Sequence, residues 1–336
     1  MTQKSAVIVP RISGVGFYLP GEPLPITDLD LSQQELQRLP NLAQEFFHRS
    51  TQSSTALMVN AGSKAMEDAG VQPQDIGMVI SAPSLITGHG LEIPAVTVRN
   101  QLKLQNAECL NLGQGCLGLF RAIQLAAQRL VMEPDSGDIL IVIGCSASGL
   151  TRNNTHGSFF WGDGAAGILM SAKPGSGLHF QSYSECTSEA DWHAMSIGFG
   201  DGKSLDSCDL DQDFHIQVAF ESEQSQSEYV RGEKFRFNKV IKDLLQQKEL
   251  SVGDLAGLAV PSLGQNRLQS LLGIRNPLQD KLIVDYRYGH MGAVDALLFL
   301  SKHLEQFKAA DGEYFIALTP AYTAQWGGVL LRYIKN

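Results

Sequence analysis

The stretch "NLGQGCLGLFRAIQLA", residues 111–126, places a cysteine between two glycines at the head of an apolar pattern with helical spacing. A second stretch, "YGHMGAVDALLFL" (288–300), repeats that design with a histidine in the cysteine's place. The pairing of "GCLGLFRAIQLA" (115–126) with "GHMGAVDALLFL" (289–300) is one of four. "DIGMVISAPSL" (75–85) echoes "DLAGLAVPSL" (254–263), "DSGDILIVIG" (135–144) echoes "AADGEYFIAL" (309–318), and "FWGDGAAGILM" (160–170) echoes "QWGGVLLRYI" (325–334). The order is the same in both sets, and the partners lie about 165 to 181 residues apart. Chance similarity rarely keeps order and offset together. The chain therefore reads as an internal duplication, with halves at 1–175 and 176–336 related by a pseudo-twofold axis.

Each half alternates strand and helix. "IGMVISAP", "ECLNLG", "GDILIVIGCSA" and "AAGILMSA" read as strands, and "STALMVNAGSKAMEDAG" and "GLFRAIQLAAQRLVME" as helices. Continuous apolar strands between helices predict an α/β fold with sheets covered on both faces. The polar stretch from about 184 to 230 reads as an irregular connection between the halves. "QELQRLPNLAQEFFHRST" (34–51) reads as an amphipathic helix that packs on the surface.

Of 336 residues, 43% are hydrophobic, enough for a large core. The net charge of −9, without a Lys/Arg run, argues against nucleic acid and anionic membranes as partners. No stretch has the apolar length of a signal peptide or a membrane span. The five cysteines (109, 116, 145, 186 and 208) show no metal or redox spacing, so a cytoplasmic protein with free thiols and no metal is expected.

Under the duplication Cys116 and His290 are equivalent, so a pseudo-twofold brings two helix starts face to face. A thiol beside an imidazole is the arrangement of an activated nucleophile. A helix N-terminus favours thiolate, and the Cys116 N–H there is a natural oxyanion donor. Asp295, five residues after His290, either orients the imidazole or serves the positive end of its helix. Cys109 and Cys145 read as packing residues. "GDGAAG" precedes a strand and not a helix, which excludes a phosphate loop. Trp326 and Gly327 read as packing of the C-terminal strand. His156 reads as a surface residue.

These residues resemble the thiolase-fold condensing enzymes, in particular the ketoacyl-acyl-carrier-protein synthase III-like group. "ISGVGFYLPGEPLPITDL" (12–29), "NLGQGCLGLFRAIQLA", "FWGDGAAGILM" and "AQWGGVLLRY" resemble four of its motifs in order. The resemblance implies a five-layer αβαβα architecture, a homodimer, and an acyl-thioester on Cys116. It implies no permanently bound cofactor, with acyl-coenzyme A or an acyl-carrier-protein thioester as donor. It also implies that the loop holding His89 reaches a partner's pocket and that the Tyr322 amide is the second oxyanion donor. The departures are specific. "VPSLGQN" puts Ser262 where the group has its histidine, and "YGHMGAVD" puts His290 at its asparagine. The arginine expected before "FWGDG" is absent from "NNTHGSFFWGDG". Replacing two enolate donors by a serine and a base points to an acyltransferase of specialised metabolism, with Cys116, His290 and Asp295 catalytic and Ser262 and His89 lining the substrate site. The alternatives are a decarboxylative β-ketoacyl synthase and a catalytically silent partner subunit.

Overall fold

The computed structural model describes residues 8–29, 31, 33–84, 92–147, 159–188, 195–199, 216–220, 222–273, 275–321 and 324–335. In chain order the first part holds β1 (Arg11–Tyr18), β2 (Leu24–Pro25), α1 (Gln33–Leu42), β3 (Phe46–Phe47), α2 (Ser54–Ala69), β4 (Ile76–Ser81), α3 (Pro94–Gln101), β5 (Glu108–Asn111), α4 (Gly118–Met132), β6 (Asp138–Ser146) and β7 (Asp163–Ser171). The second holds β8 (Gly177–Thr187), β9 (Met195–Phe199), β10 (Ile216–Phe220), α5 (Glu223–Gln246), β11 (Leu255–Ala259), α6 (Gln265–Leu272), β12 (Leu282–Ile283), α7 (Ala293–Phe307), β13 (Tyr314–Ala321) and β14 (Gln325–Ile334).

The duplication is visible in the strand order. Read outward from the middle, one side of the large sheet runs β1-β7-β6-β4-β5 and the other β8-β14-β13-β11-β12. Each side joins its outer three strands in parallel and its inner pairs antiparallel. The two sides meet where β1 pairs with β8, through Arg11↔His179 and Ile12↔Leu178. The turn between β7 and β8 contains the 175/176 division. A smaller detail repeats as well. One 3₁₀ turn precedes β4 and another precedes β11, each closed by an Asp that accepts an amide three residues back (Gln72 N to Asp75 at 3.2 Å, Ser251 N to Asp254 at 2.8 Å).

The layers follow from apolar faces. β7 is buried along its whole length and β6 along all but its last residue, so both faces of these strands need cover. α4 and α7, each fifteen residues long, supply it from between the half-sheets. α4 packs on β6 and β7 and also on β8 and β14; α7 packs on β6 and β7 and also on β11 and β13. α2 and α3 cover the outside of the first half-sheet, and α5 covers that of the second with α6 packed against it. This is the five-layer αβαβα arrangement. Trp326 is fully buried under the Tyr229 ring of α5, and Gly327 admits the Leu117 side chain.

Three expectations are corrected. The helix read over 34–51 ends at Leu42, and Phe46–Phe47 is extended. Pro40 removes a helical donor, Ala43 turns to a φ of 57°, and the chain then docks along the Tyr288 backbone. The polar connection contains regular elements: β9 and β10 pair antiparallel, and residues 223–230 already belong to α5 behind a Ser222–Ser225 capping box. Cys109 is exposed, not packed, because β5 is the outermost strand.

α2 lies close on β1 and β7 because glycines face it. A Cβ at Gly16 would strike the Ala61 and Ala65 backbone, and one at Gly167 would strike Ala61. Gly16→Val should therefore cost about 1–3 kcal/mol of stability by overpacking. The check is a lower urea midpoint at an unchanged m-value.

Candidate active site

Cys116 sits in one 3₁₀ turn, Gly115–Leu117, which leads into α4. Gly115 has a φ of 54°, a left-handed conformation suited to glycine. Leu117 anchors the turn against Gly327 of β14, in the other half. Cys116 is 3% exposed.

His290 comes from the second half but is held by the first. Its amide donates to Phe160 O at 2.6 Å, and Gly162 N donates to its carbonyl at 2.9 Å. The imidazole lies edge-on to Phe159 (centroids 4.6 Å apart) and beside Trp161 (5.3 Å). Gly162 and Gly164 leave room for this crossing, since a Cβ at either would meet residues 289–291. The "FWGDG" motif is thus a docking strip for the histidine segment.

Asp295 opens α7 and is completely buried. Its Oδ2 lies 3.1 Å from His290 Nδ1 and accepts from the Ser262 amide (3.0 Å) and the Met291 amide (3.4 Å). Oδ1 has no hydrogen-bond partner among the described residues. Ser262 is fully buried as well. Its hydroxyl donates to Tyr286 O at 3.3 Å and faces Gln44 Nε2 at 3.3 Å. Ser262 therefore holds the frame behind Asp295 through its backbone, while its hydroxyl is engaged by the Tyr286 carbonyl and Gln44.

The thiol and the histidine segment meet at Gly292. A Cβ on Gly292 would lie 3.6 Å from Cys116 Sγ and would collide with Ser84 Oγ. The electrostatics run opposite to the helix-start argument. Burial first, and the Asp295 charge second, push the Cys116 thiol up to about 12, against a smaller lowering from its own backbone amide. Cys145, wholly buried at the end of β6, is raised further by the same burial and by Asp163, Cys116 and Asp295. Cys116 therefore rests as a neutral thiol.

Gln44 gave no sequence signal, lying inside the misread helix. It is buried, and its Nε2 donates to Tyr288 O at 2.8 Å while its Oε1 accepts from Phe160 N at 2.7 Å. It ties the strip that holds His290 to the segment that carries it. Phe159 and Trp161 also went unassigned, although three aromatics before "GDG" marked the place. His89, His156, Cys208 and Tyr322 lie outside the described residues. Among the described residues no group of three or more His, Cys, Asp or Glu side chains is arranged to hold a metal, and no helix is long and apolar enough to cross a membrane.

No protein-family model matches the chain. It is 23% identical, over 97% of its length and 99% of the relative's, to the β-ketoacyl-[acyl-carrier-protein] synthase III of Xanthomonas campestris pv. campestris. Among solved structures it resembles the 3-oxoacyl-[acyl-carrier-protein] synthase III of Aquifex aeolicus (TM-score 0.79, 16% identity, 96% of this chain and 100% of that one). It also resembles ChlB3, described as an acyltransferase (TM-score 0.81, 16% identity, 97% and 98%). The fold is that of the thiolases. Over its length the chain is similar to ketoacyl-acyl-carrier-protein synthase III proteins.

A thiol raised this far has a thiolate fraction that grows with pH throughout the working range. Alkylation of Cys116 by iodoacetamide should accelerate about tenfold per pH unit from pH 7 to 9, without a plateau. Peptide mapping of the labelled protein measures this, and a plateau below pH 8 would contradict the neutral thiol.

Proposed function

We propose that this chain is an acyltransferase of specialised metabolism. It takes an acyl group from a coenzyme A or carrier-protein thioester onto Cys116 and passes it to a hydroxyl or amine acceptor. The observation that carries the reading is the buried His290 Nδ1···Asp295 Oδ2 contact of 3.1 Å beside the Cys116 turn.

The chemistry follows from proton accounting. An ionised Asp295 only accepts, so Nδ1 carries hydrogen and Nε2 offers a lone pair. Because the thiol rests neutral, attack on a thioester requires a base, and Nε2 takes the Sγ–H proton as the S–C bond forms. The donor thiol leaves with that proton. In the second half-reaction Nε2 takes the proton of the acceptor O–H or N–H, the acceptor attacks the acyl carbon, and Cys116 Sγ leaves and is reprotonated. The net change is one thioester converted to one ester or amide plus a thiol.

Ser262 supports transfer over condensation. Decarboxylative condensation leaves an enolate that needs side-chain donors, and the Ser262 hydroxyl is turned to the Tyr286 carbonyl. Condensation remains the second reading because the full-length relatives are named as synthases. A homodimer is part of the proposal, and β5, the last strand of the sheet, offers it an edge.

Intact-protein mass after exposure to a panel of acyl thioesters tests the acyl-enzyme. Wild type should gain one acyl mass and Cys116→Ala none; labelling that persists in Cys116→Ala would falsify the assignment. His290→Ala should slow acylation by about 10²–10⁴-fold, the usual worth of a general base. Asp295→Asn should slow it through the wrong tautomer. Malonyl thioester should release no carbon dioxide with acylated enzyme; release would move the reading to condensation.

A further inference from the structure

Ser84 lies three residues beyond β4, where its amide donates to Gly144 O at 2.9 Å and pins the backbone beside β6. The residue is 5% exposed, and its hydroxyl has no hydrogen-bond partner among the described residues. It fills the space that a side chain at Gly292 would need, and Cys116 Sγ borders the same space at 3.6 Å from that Cβ position. Hydroxyl and thiol thus border one space, at a residue two positions from His290. Gly292, at a φ of 71°, lets the histidine segment come this close.

An orphaned buried hydroxyl costs stability, and alanine would fit the same place without that cost. A group kept at such expense is explained if a partner forms during the reaction. A thiol is a weak acceptor, whereas a charged sulfur is a strong one. With the thiol at rest the two groups are not hydrogen-bonded, so the bond forms by a small shift of the Ser84 hydroxyl within the space they share.

We propose that Ser84 is a further catalytic residue, donating its O–H hydrogen bond to Cys116 Sγ whenever that sulfur carries negative charge. The inference rests on Cys116 being the nucleophile. No proton leaves Ser84: the Sγ proton goes to His290 Nε2, and Ser84 contributes only the hydrogen bond. Because the bond forms only after S–H breaks, it favours the charged sulfur over the resting thiol, which is the condition for raising a rate. The same donor acts again when Sγ departs from the acyl group.

The experiment compares wild type with Ser84→Ala in the full chain. Iodoacetamide alkylation of Cys116 is followed by peptide mapping from pH 7 to 9, alongside the thermal midpoint of each protein. Ser84→Ala should react about tenfold more slowly at every pH, equivalent to one unit of thiol pKa. Its thermal midpoint should stay level or rise, because the variant removes a buried hydroxyl that has no partner among the described residues. A merely structural serine would lower the midpoint and leave the rate alone. An unchanged rate in Ser84→Ala overturns the role of Ser84 and leaves the nucleophile standing. A wild-type Cys116 that stays inert from pH 7 to 9 while a free thiol such as glutathione is alkylated under the same conditions overturns the nucleophile, and this inference with it.

Discussion

A single buried carboxylate oxygen gathers the second half of the site. Asp295 Oδ2 receives His290 Nδ1 and the amides of Ser262 and Met291. A carboxylate this deep is tolerable only with such donors around it, and the positive end of α7 adds to them. The same contacts bring the end of β11, the His290 segment and α7 to one place. Moving that oxygen would release the imidazole and the backbone behind it together.

The two halves are interdependent at this point. The Cys116 turn of the first half is anchored on β14 of the second, and the histidine of the second is bridged to Trp161 of the first. Gln44 closes the arrangement from a third direction. Interdigitation explains the resting state of the thiol. Enclosure between two sheets takes the sulfur out of water, and the Asp295 charge adds repulsion. A helix start contributes roughly 0.3–1 kcal/mol, at most about 2, which is too little to reverse that enclosure. In the proposed reaction the thiol then depends on a base at the moment of attack, and the imidazole is the group proposed to meet that need.

Much of the architecture was legible in the residues. Four pairs of segments in one order anticipated the mirrored strand orders and the equal lengths of α4 and α7. The places where reading failed share a cause. Gln44 was hidden because helical spacing in 34–51 is local, while its partners at 160, 262 and 288 are distant in sequence. Cys109 looked like core because apolar neighbours do not reveal which strand lies at a sheet edge. The polar start of α5 looked like a loop because a solvent-facing helical turn lacks the apolar spacing that identifies a helix.

The sequence by itself determined the α/β alternation and singled out the cysteine, histidine and aspartate as candidates, because strand and helix periodicities and paired glycines are local properties. Only the tertiary structure decided that Asp295 faces His290, that the Ser262 hydroxyl bonds the Tyr286 carbonyl, that burial raises the Cys116 thiol, and that Ser84, near that thiol, has no hydrogen-bond partner among the described residues. Those facts depend on burial and on the direction of side chains from distant segments. Neither is written in spacing, because a residue's exclusion from water is set by what the rest of the chain packs over it.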